Sequence, residues 1–214
     1  MKMRKVGVLM GGISSERDVS LMTGEAVAEA LDLLGHDVQK VVVGRDVDRV
    51  LRNVDIDVAF LALHGKYGED GCIQGLLELL GIPYTGSGVL SSALAMDKIK
   101  AKEIFRLHNI PTPPYYVVDA ENAAWLSDLH GSFGFPVVVK PRSEGSGVGV
   151  TVVRCKDDLL QAVETALAWD DQVLVERYVA GREVVAGLLD GRVLGAVEVE
   201  SGDETYGFTM EPGL

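Results

Sequence analysis

Cysteine is scarce: Cys72 and Cys155 are the only two, with no CxxC and no Cys/His spacing beside either. That excludes a zinc finger or ribbon and a disulfide framework, and it suits a reducing cytosol. Basic charge is also in short supply, since 20 Lys and Arg against 32 Asp and Glu leave a net charge of -12. That balance argues against a nucleic-acid or anionic-membrane surface, while it leaves room for a local basic pocket for a phosphate. Long apolar runs are missing. MKMRK followed by VGVLMGG imitates a signal peptide, but the run stops at Ser14 and meets Glu16, Arg17 and Asp18, so no targeting or spanning segment is expected. The common nucleotide fingerprints are lacking too: GG instead of GxGxxG follows the first strand, and no GK[ST] ending occurs. There is no internal repeat and no low-complexity tract. What remains, at 47% apolar and 24% charged, is a globular chain with enough apolar residues for one or two cores.

The first half reads as an open α/β unit. Lys5 to Met10 is a strand that runs into Gly11-Gly12 and the polar turn ISSERDVS, followed by a helix with Val19, Val27, Ala30, Leu31 and Leu34 near helical spacing and a stop at Gly35. His36 to Val43 is a second strand, Asp46 to Arg52 a short helix, and Ile56 to Leu63 a third strand, apolar almost throughout as in a parallel sheet buried on both faces. That strand delivers HGKYGEDG, residues 64 to 71, to the carboxyl end of the sheet, where open α/β sheets place ligands. His64, with Lys66, Glu69 and Asp70 beside it, is either a functional group or a histidine bonded to loop backbone. Cys72 to Leu80 is a helix closed by Gly81, IPYTGSG a short strand and turn, and a small-residue helix runs to Met96. Lys98 is then either a phosphate ligand or part of a solvated face shared with Lys100 and Lys102.

The proline cluster Asn109 to Pro114 connects to a second unit. Its order is strand (Tyr115 to Val118), helix (Ala120 to Leu129), strand (Val137 to Lys140), glycine loop, strand (Val148 to Val153), helix (Asp157 to Ala168) and strand (Val173 to Glu176). Asp190-Gly191 then marks a hairpin. The loop is the chemical centre of this half. Gly145, Gly147 and Gly149 at alternate positions let the backbone approach a bulky anion, and Lys140 stands at the entrance with Arg142 and Glu144 inside. A plain glycine-rich hairpin with solvated charges fits the same residues. Glu176 and Glu183, at strand ends, are either surface carboxylates or acceptors for an adenine amino group and ribose hydroxyls.

Together MGGISSERDVSL, ALHGKYGEDGCIQGLLELLGIPYTGSG, SALAMDKIKAK, FPVVVKPRSEGSGVGV and LVERYVAGRE, in this order, closely resemble the D-alanine:D-alanine ligases of the ATP-grasp superfamily, from about Lys5 to about Glu200. The resemblance implies an N-terminal, Rossmann-like, pre-ATP-grasp domain over residues 1–96 and an incomplete ATP-grasp α+β domain over 97–214. It implies a cytoplasmic enzyme of peptidoglycan synthesis that uses ATP and Mg2+ to join two D-alanines through an acyl phosphate, dimeric through its N-terminal domain. By match to the motifs, Glu16 would bind the ammonium of the first D-alanine, Ser146 would link that end to the lid, and His64 would lie near the substrate carboxylate. Lys98 and Lys140 would hold the phosphates, with Glu144, Gly145, Ser146 and Gly147 in the lid over them. Glu176 and Arg177 would lie at the adenine and Glu183 at the ribose.

Several positions depart from the pattern. Arg142-Ser143 stands where the family has Ser-Arg, Gly147 where a second serine is common, and Arg177 where lysine is usual. After VEVES the family continues with a tyrosine-rich loop and about a third of the enzyme, which carries the transition-state arginine and the Mg2+ ligands; here GDETYGFTMEPGL follows. No metal site is expected in this chain, since Asp203, Glu204 and Glu211 lie in a polar tail, and Tyr206 has no assigned role. Two alternatives accompany the ligase reading: a shortened protein that binds nucleotide or D-alanine without ligating, and a ligase whose second substrate is D-lactate or D-serine.

Overall fold

A computed structural model describes residues 3–199. Asp203, Glu204, Tyr206 and Glu211 lie outside the described residues. Packing divides the described residues into two units: those up to Ile110 together with Arg142–Gly145, and Pro111–Pro141 together with the described residues from Ser146 on. Asp97 caps the helix that follows it and binds Arg142 within the first unit.

In the first unit, β1 (Lys5–Gly11), β2 (Asp37–Val43) and β3 (Val58–Leu61) form a parallel sheet in the order β2-β1-β3. Alternation along β1 splits the core. Val6, Val8 and Met10 pack with Ala28 of α1 (Arg17–Leu33) on one face. Leu9, Val41 and Val43 pack on the other with Leu51 of α2 (Val47–Asn53) and with Ile73 and Leu77 of α3 (Cys72–Leu80). Helices α4 (Val89–Met96) and α5 (Lys98–Leu107) follow. The third strand is shorter than the apolar run Ile56 to Leu63. The pairing direction continues past its ends, since the Asp57 and Ala62 amides donate to the Lys5 and Leu9 carbonyls at 2.8 and 2.9 Å. The segment IPYTGSG contributes one parallel bridge, Ala59 to Tyr84, that covers the β3 edge.

The second unit holds an antiparallel sheet in the order β4-β7-β5-β6, from β4 (Tyr115–Asp119), β5 (Val137–Pro141), β6 (Thr151–Val153) and β7 (Gln172–Arg177). Val118, Val137, Val139, Val153, Val173 and Val175 face its core. They pack against Leu159, Ala162, Val163 and Ala166 of α7 (Leu159–Leu167). The helix expected from Ala120 begins later, as a 3-10 turn at Ala123–Trp125 leading into α6 (Leu126–His130). Asp119 Oδ1 accepts the Glu121 and Asn122 amides, and Asn122 Oδ1 accepts the Asp119 amide, which holds these residues in a side-chain turn. The returning strand also starts late, at Thr151, because Ser146, Gly147 and Gly149 have φ of +47, +76 and +68° and the Val150 amide closes a turn onto the Gly147 carbonyl. A separate hairpin, β8 (Glu183–Leu189) and β9 (Arg192–Val199), turns through Asp190 and Gly191 at φ +47 and +74°. Both central residues at positive φ match the twist-compatible turn that the Asp-Gly pair predicts.

Candidate functional site

In the first unit the candidate residues gather at the carboxyl end of the parallel sheet. Glu16 sits at the start of α1 and is only 1% exposed. Its carboxylate occupies space that two glycines leave open: a Cβ at Gly65, which has φ +67°, would lie 2.3 Å from Oε2, and one at Gly145 would lie 3.0 Å away. Any larger residue at 65 expels the carboxylate. The loop is pinned locally: Ser14 Oγ donates to the His64 carbonyl at 2.7 Å and accepts the Glu16 amide at 3.2 Å. One turn along, Ser20 Oγ donates to the Ala62 carbonyl at 2.6 Å and accepts the Gly11 amide, tying α1 to the ends of β1 and β3.

His64 lies among hydroxyl and carboxylate groups. The Thr23 hydroxyl donates to the Val19 carbonyl at 3.0 Å, so its lone pairs face His64 Nε2 at 3.1 Å, and Nε2–H donates to Thr23. Nδ1 lies 3.8 Å from Glu69 Oε1. Glu69 Oε2 in turn accepts the Gly65 amide at 2.7 Å. The His64 ring is thus held between the Thr23 hydroxyl and the Glu69 carboxylate.

Lys98 opens α5, and its ammonium donates to the backbone carbonyls of Arg142 and Glu144. Arg142 also pairs with Asp97, whose Oδ1 caps the helix by accepting the amides of Ile99 and Lys100, each at 3.1 Å. Burial pushes the Asp97 carboxyl up, but Arg142 and the capping amides outweigh it and hold the group below its usual range. Glu144 Oε2 accepts from Ser15 Oγ at 3.0 Å. Residues 142–145 are therefore tied to the first unit by their backbone, by Arg142 and by Glu144. Lys98 serves as the tether in this state.

In the second unit, Lys140 of β5 and Glu176 of β7 form an ion pair. Glu176 stands opposite Val138, two residues from Lys140, so both project from one face of the sheet while Val139 and Val175 enter the core on the other. Arg177, the next residue, points the opposite way. Its guanidinium donates to the Phe133 carbonyl at 3.1 Å and lies 5.2 Å from the Phe133 ring centre, so the side chain is not brought together with Glu176. Glu183 opens β8, exposed, in a sheet separate from that of Glu176. Ser146, Gly147 and Gly149 supply the turn after β5. Gly149 is sterically required, since a Cβ there would lie 2.7 Å from Pro141 Cγ and 2.9 Å from Trp169 Cδ1.

Residues not singled out from sequence complete both places: Ser14, Ser15, Thr23 and Asp97. The run ISSERD was visible as a polar turn, but nothing in it marks which serine meets Glu144. Thr23, one helical turn from Val19, is a polar residue on a helix like any other until His64 is placed beside it.

A parallel α/β unit followed by an antiparallel sheet with a glycine loop and a Lys/Glu pair on the face opposite α7 is the architecture of the ATP-grasp class. The sequence profile described as "D-ala D-ala ligase C-terminus" matches residues 104–211, and "D-ala D-ala ligase N-terminus" matches residues 43–87. The D-alanine–D-alanine ligase of Geobacter sulfurreducens is 53% identical over 97% of this chain and 65% of its own length. That of Geotalea uraniireducens is 49% identical over 100% of this chain and 69% of its own. Among solved structures, D-alanine–D-alanine ligase from Bacillus anthracis complexed with ATP superposes with a TM-score of 0.80 at 41% identity, covering 94% of this chain and 67% of that one. The chain belongs to the D-alanine–D-alanine ligase family, and it spans about two thirds of the length of these relatives.

Proposed function

We propose that the chain acts in the ATP-dependent joining of two D-alanines to D-alanyl-D-alanine, in the cytoplasm, for peptidoglycan precursors. The observation that carries this reading is the buried Glu16 carboxylate, held at the carboxyl end of the parallel sheet in a nook bounded by Gly65 and Gly145. A fixed, dehydrated carboxylate is a strong counter-charge for the ammonium of a small amino acid, and family membership supplies the amino acid.

The chemistry has one difficult demand. A carboxylate is a poor electrophile, and ATP supplies the phosphoryl group that turns it into an acyl phosphate, which the amine of the second D-alanine attacks with release of phosphate. The chain's own residues bind and orient. Glu16 holds the first ammonium and so fixes where the carboxylate lies. Lys140, on the sheet face opposite α7, is the cation for the phosphates, and Glu176 beside it pairs with its ammonium. Lys98 exchanges the carbonyls of Arg142 and Glu144 for phosphate oxygens, which frees residues 142–145 to rearrange as a lid with Ser146 and Gly147. Glu183 meets the ribose. Mg2+ is expected for such a transfer. Among the described residues no group of three or more His, Cys, Asp or Glu side chains is placed to hold it. Homodimerisation through the first unit is supported by Leu79 and Leu90, 88% and 72% exposed on α3 and α4.

Isothermal titration of the 214-residue chain with ATP and Mg2+, followed by phosphate release with D-alanine, tests the reading. Saturable ATP binding with D-alanine-dependent turnover supports ligation, and binding without turnover supports a nucleotide- or amino-acid-binding role instead. Faster turnover with D-serine or D-lactate as the second acceptor would replace the second substrate, and absence of ATP binding would refute the placement of Lys140.

A further inference from the structure

We infer that the first unit carries a second small-molecule site, for an organic anion with a flat apolar body, on the face of the sheet opposite α1. A cavity of about 290 Å³ opens there at the carboxyl ends of the parallel strands. Its floor is Val43, Leu63, Ile73 and Leu76, side chains that belong to the α2/α3 core and not to the α1 core beside which Thr23 holds His64. The position has a topological cause. In the order β2-β1-β3, the chain leaves β1 through α1 on one face and leaves β2 through α2 on the other, so the loops after the strands diverge and leave a crevice. Its volume suits a ligand of one ring and a charged substituent.

Charge at the rim selects the sign. The chain as a whole carries -12, yet the charged side chains that line this cavity are Arg45 and Lys66, while Asp70 stands behind the lining with its carboxylate engaged by the Tyr67 and Cys72 amides. Among the described residues neither enters a salt bridge; the Lys66 ammonium lies 5.7 Å from the ring centre of Tyr67. Tyr67 has φ +65°, a conformation bulky residues rarely take, which brings its half-exposed ring into the cavity lining. Two lining cations over an apolar floor and beside an aromatic ring, with the Asp70 carboxylate already taken up by backbone amides, define a receptor for an aromatic carboxylate. The site is coupled to the other face, because Gly12 and His64 line the cavity and sit in the two loops that carry the Glu16 nook. It does not depend on the ligase reading.

Cys72 provides a reporter, since it lines the cavity while the second thiol, Cys155, is exposed elsewhere. Benzoate is the probe, with benzamide as its uncharged analogue and benzylamine as its cationic one. Titration calorimetry of the 214-residue chain should show saturable benzoate binding that weakens with salt. Benzoate should slow N-ethylmaleimide labelling of Cys72 and leave Cys155 unaffected. The double variant Arg45→Ala/Lys66→Ala removes two exposed charges, and far-UV circular dichroism checks that it is folded. It should bind benzoate about tenfold more weakly, as expected of two solvent-facing charge contacts. Benzamide or benzylamine binding as well as benzoate, protection of neither or both thiols, undiminished affinity in the double variant, or no saturable binding would each overturn the site.

Discussion

Replacing Gly65 by alanine tests the nook around Glu16 directly. Two costs arise at once. The backbone holds φ +67°, where a Cβ costs about 1–2 kcal/mol, and the new Cβ would stand 2.3 Å from Glu16 Oε2 and 3.3 Å from Ser14 Cβ. Glu16 cannot yield freely, because it is buried at the head of α1 and its amide is bonded to Ser14. Forced overpacking of this kind adds about 1–3 kcal/mol, so Gly65→Ala should lose about 2–5 kcal/mol in all. Two companions separate the parts. Gly35 has φ +82° and nothing within 4 Å, so Gly35→Ala reports the backbone cost alone. Gly145 meets Glu16 at 3.0 Å without a positive φ, so Gly145→Ala reports a mild contact cost of about 1 kcal/mol. Both tryptophans, Trp125 and Trp169, lie in the second unit, so fluorescence would miss the event. Urea unfolding should be followed by far-UV circular dichroism, which sees α1 and α3. If Gly65→Ala costs no more than Gly35→Ala, the carboxylate is not where the nook requires it, and the proposed ammonium site fails with it.

Three further expectations follow from other places in the fold. Gly24→Ala in α1 should destabilise by about 1–2 kcal/mol despite the better helix propensity of alanine, because the Cβ would lie 2.5 Å from Met10 Cβ; a more stable variant in thermal denaturation would refute the α1–β1 spacing. In the second unit, His130 stacks on Phe135 at 4.4 Å, with Nδ1 bonded to Tyr116 Oη at 2.9 Å and Nε2 buried without a hydrogen bond. Burial first, and Lys156 second, push its imidazole below the ordinary value of 6.5. The unfolded chain therefore binds the proton more readily, and stability should be full above 6.5 and fall as pH drops below it, by tryptophan fluorescence in urea. The same slope in His130→Phe would assign the effect elsewhere. Burial also pushes the Tyr116 phenol up to about 12, so stability should decline again above pH 10, and the late tyrosine absorbance at 295 nm should be lost in part in Tyr116→Phe. Lys140→Ala should weaken ATP binding by about tenfold or more, the worth of a charged hydrogen bond to phosphate, and unchanged affinity would make Lys140 a structural partner of Glu176 alone.

The sequence foretold whatever depended on a residue and its near neighbours along the chain. Strands β1 and β5, helix α3 with its closing Gly81 at φ +68°, and the Asp190-Gly191 hairpin all rest on local pattern, and each lies where that pattern puts it. The failures have two local causes. Asp119 Oδ1 took the Glu121 and Asn122 amides where a helix was expected to begin, and positive φ at residues 146, 147 and 149 took the first half of a strand. At the candidate site the same limit appears as a question of direction. Glu176 and Arg177 are adjacent and equally polar in sequence, but a strand sends them to opposite faces, and only the register against Val137 and Val138 decides which one meets Lys140. Lys98 shows it again. A lysine near a helix start is readable, whereas its grip on the Arg142 and Glu144 carbonyls joins residues more than forty positions apart. That grip is one of the contacts that hold the loop, so a Lys98→Met variant should hold residues 142–145 less tightly even without nucleotide. Hydrogen exchange at the amides of 143–145 measures it: faster exchange in the variant supports the tether, and unchanged exchange would leave the Arg142–Asp97 and Glu144–Ser15 contacts as its real anchors.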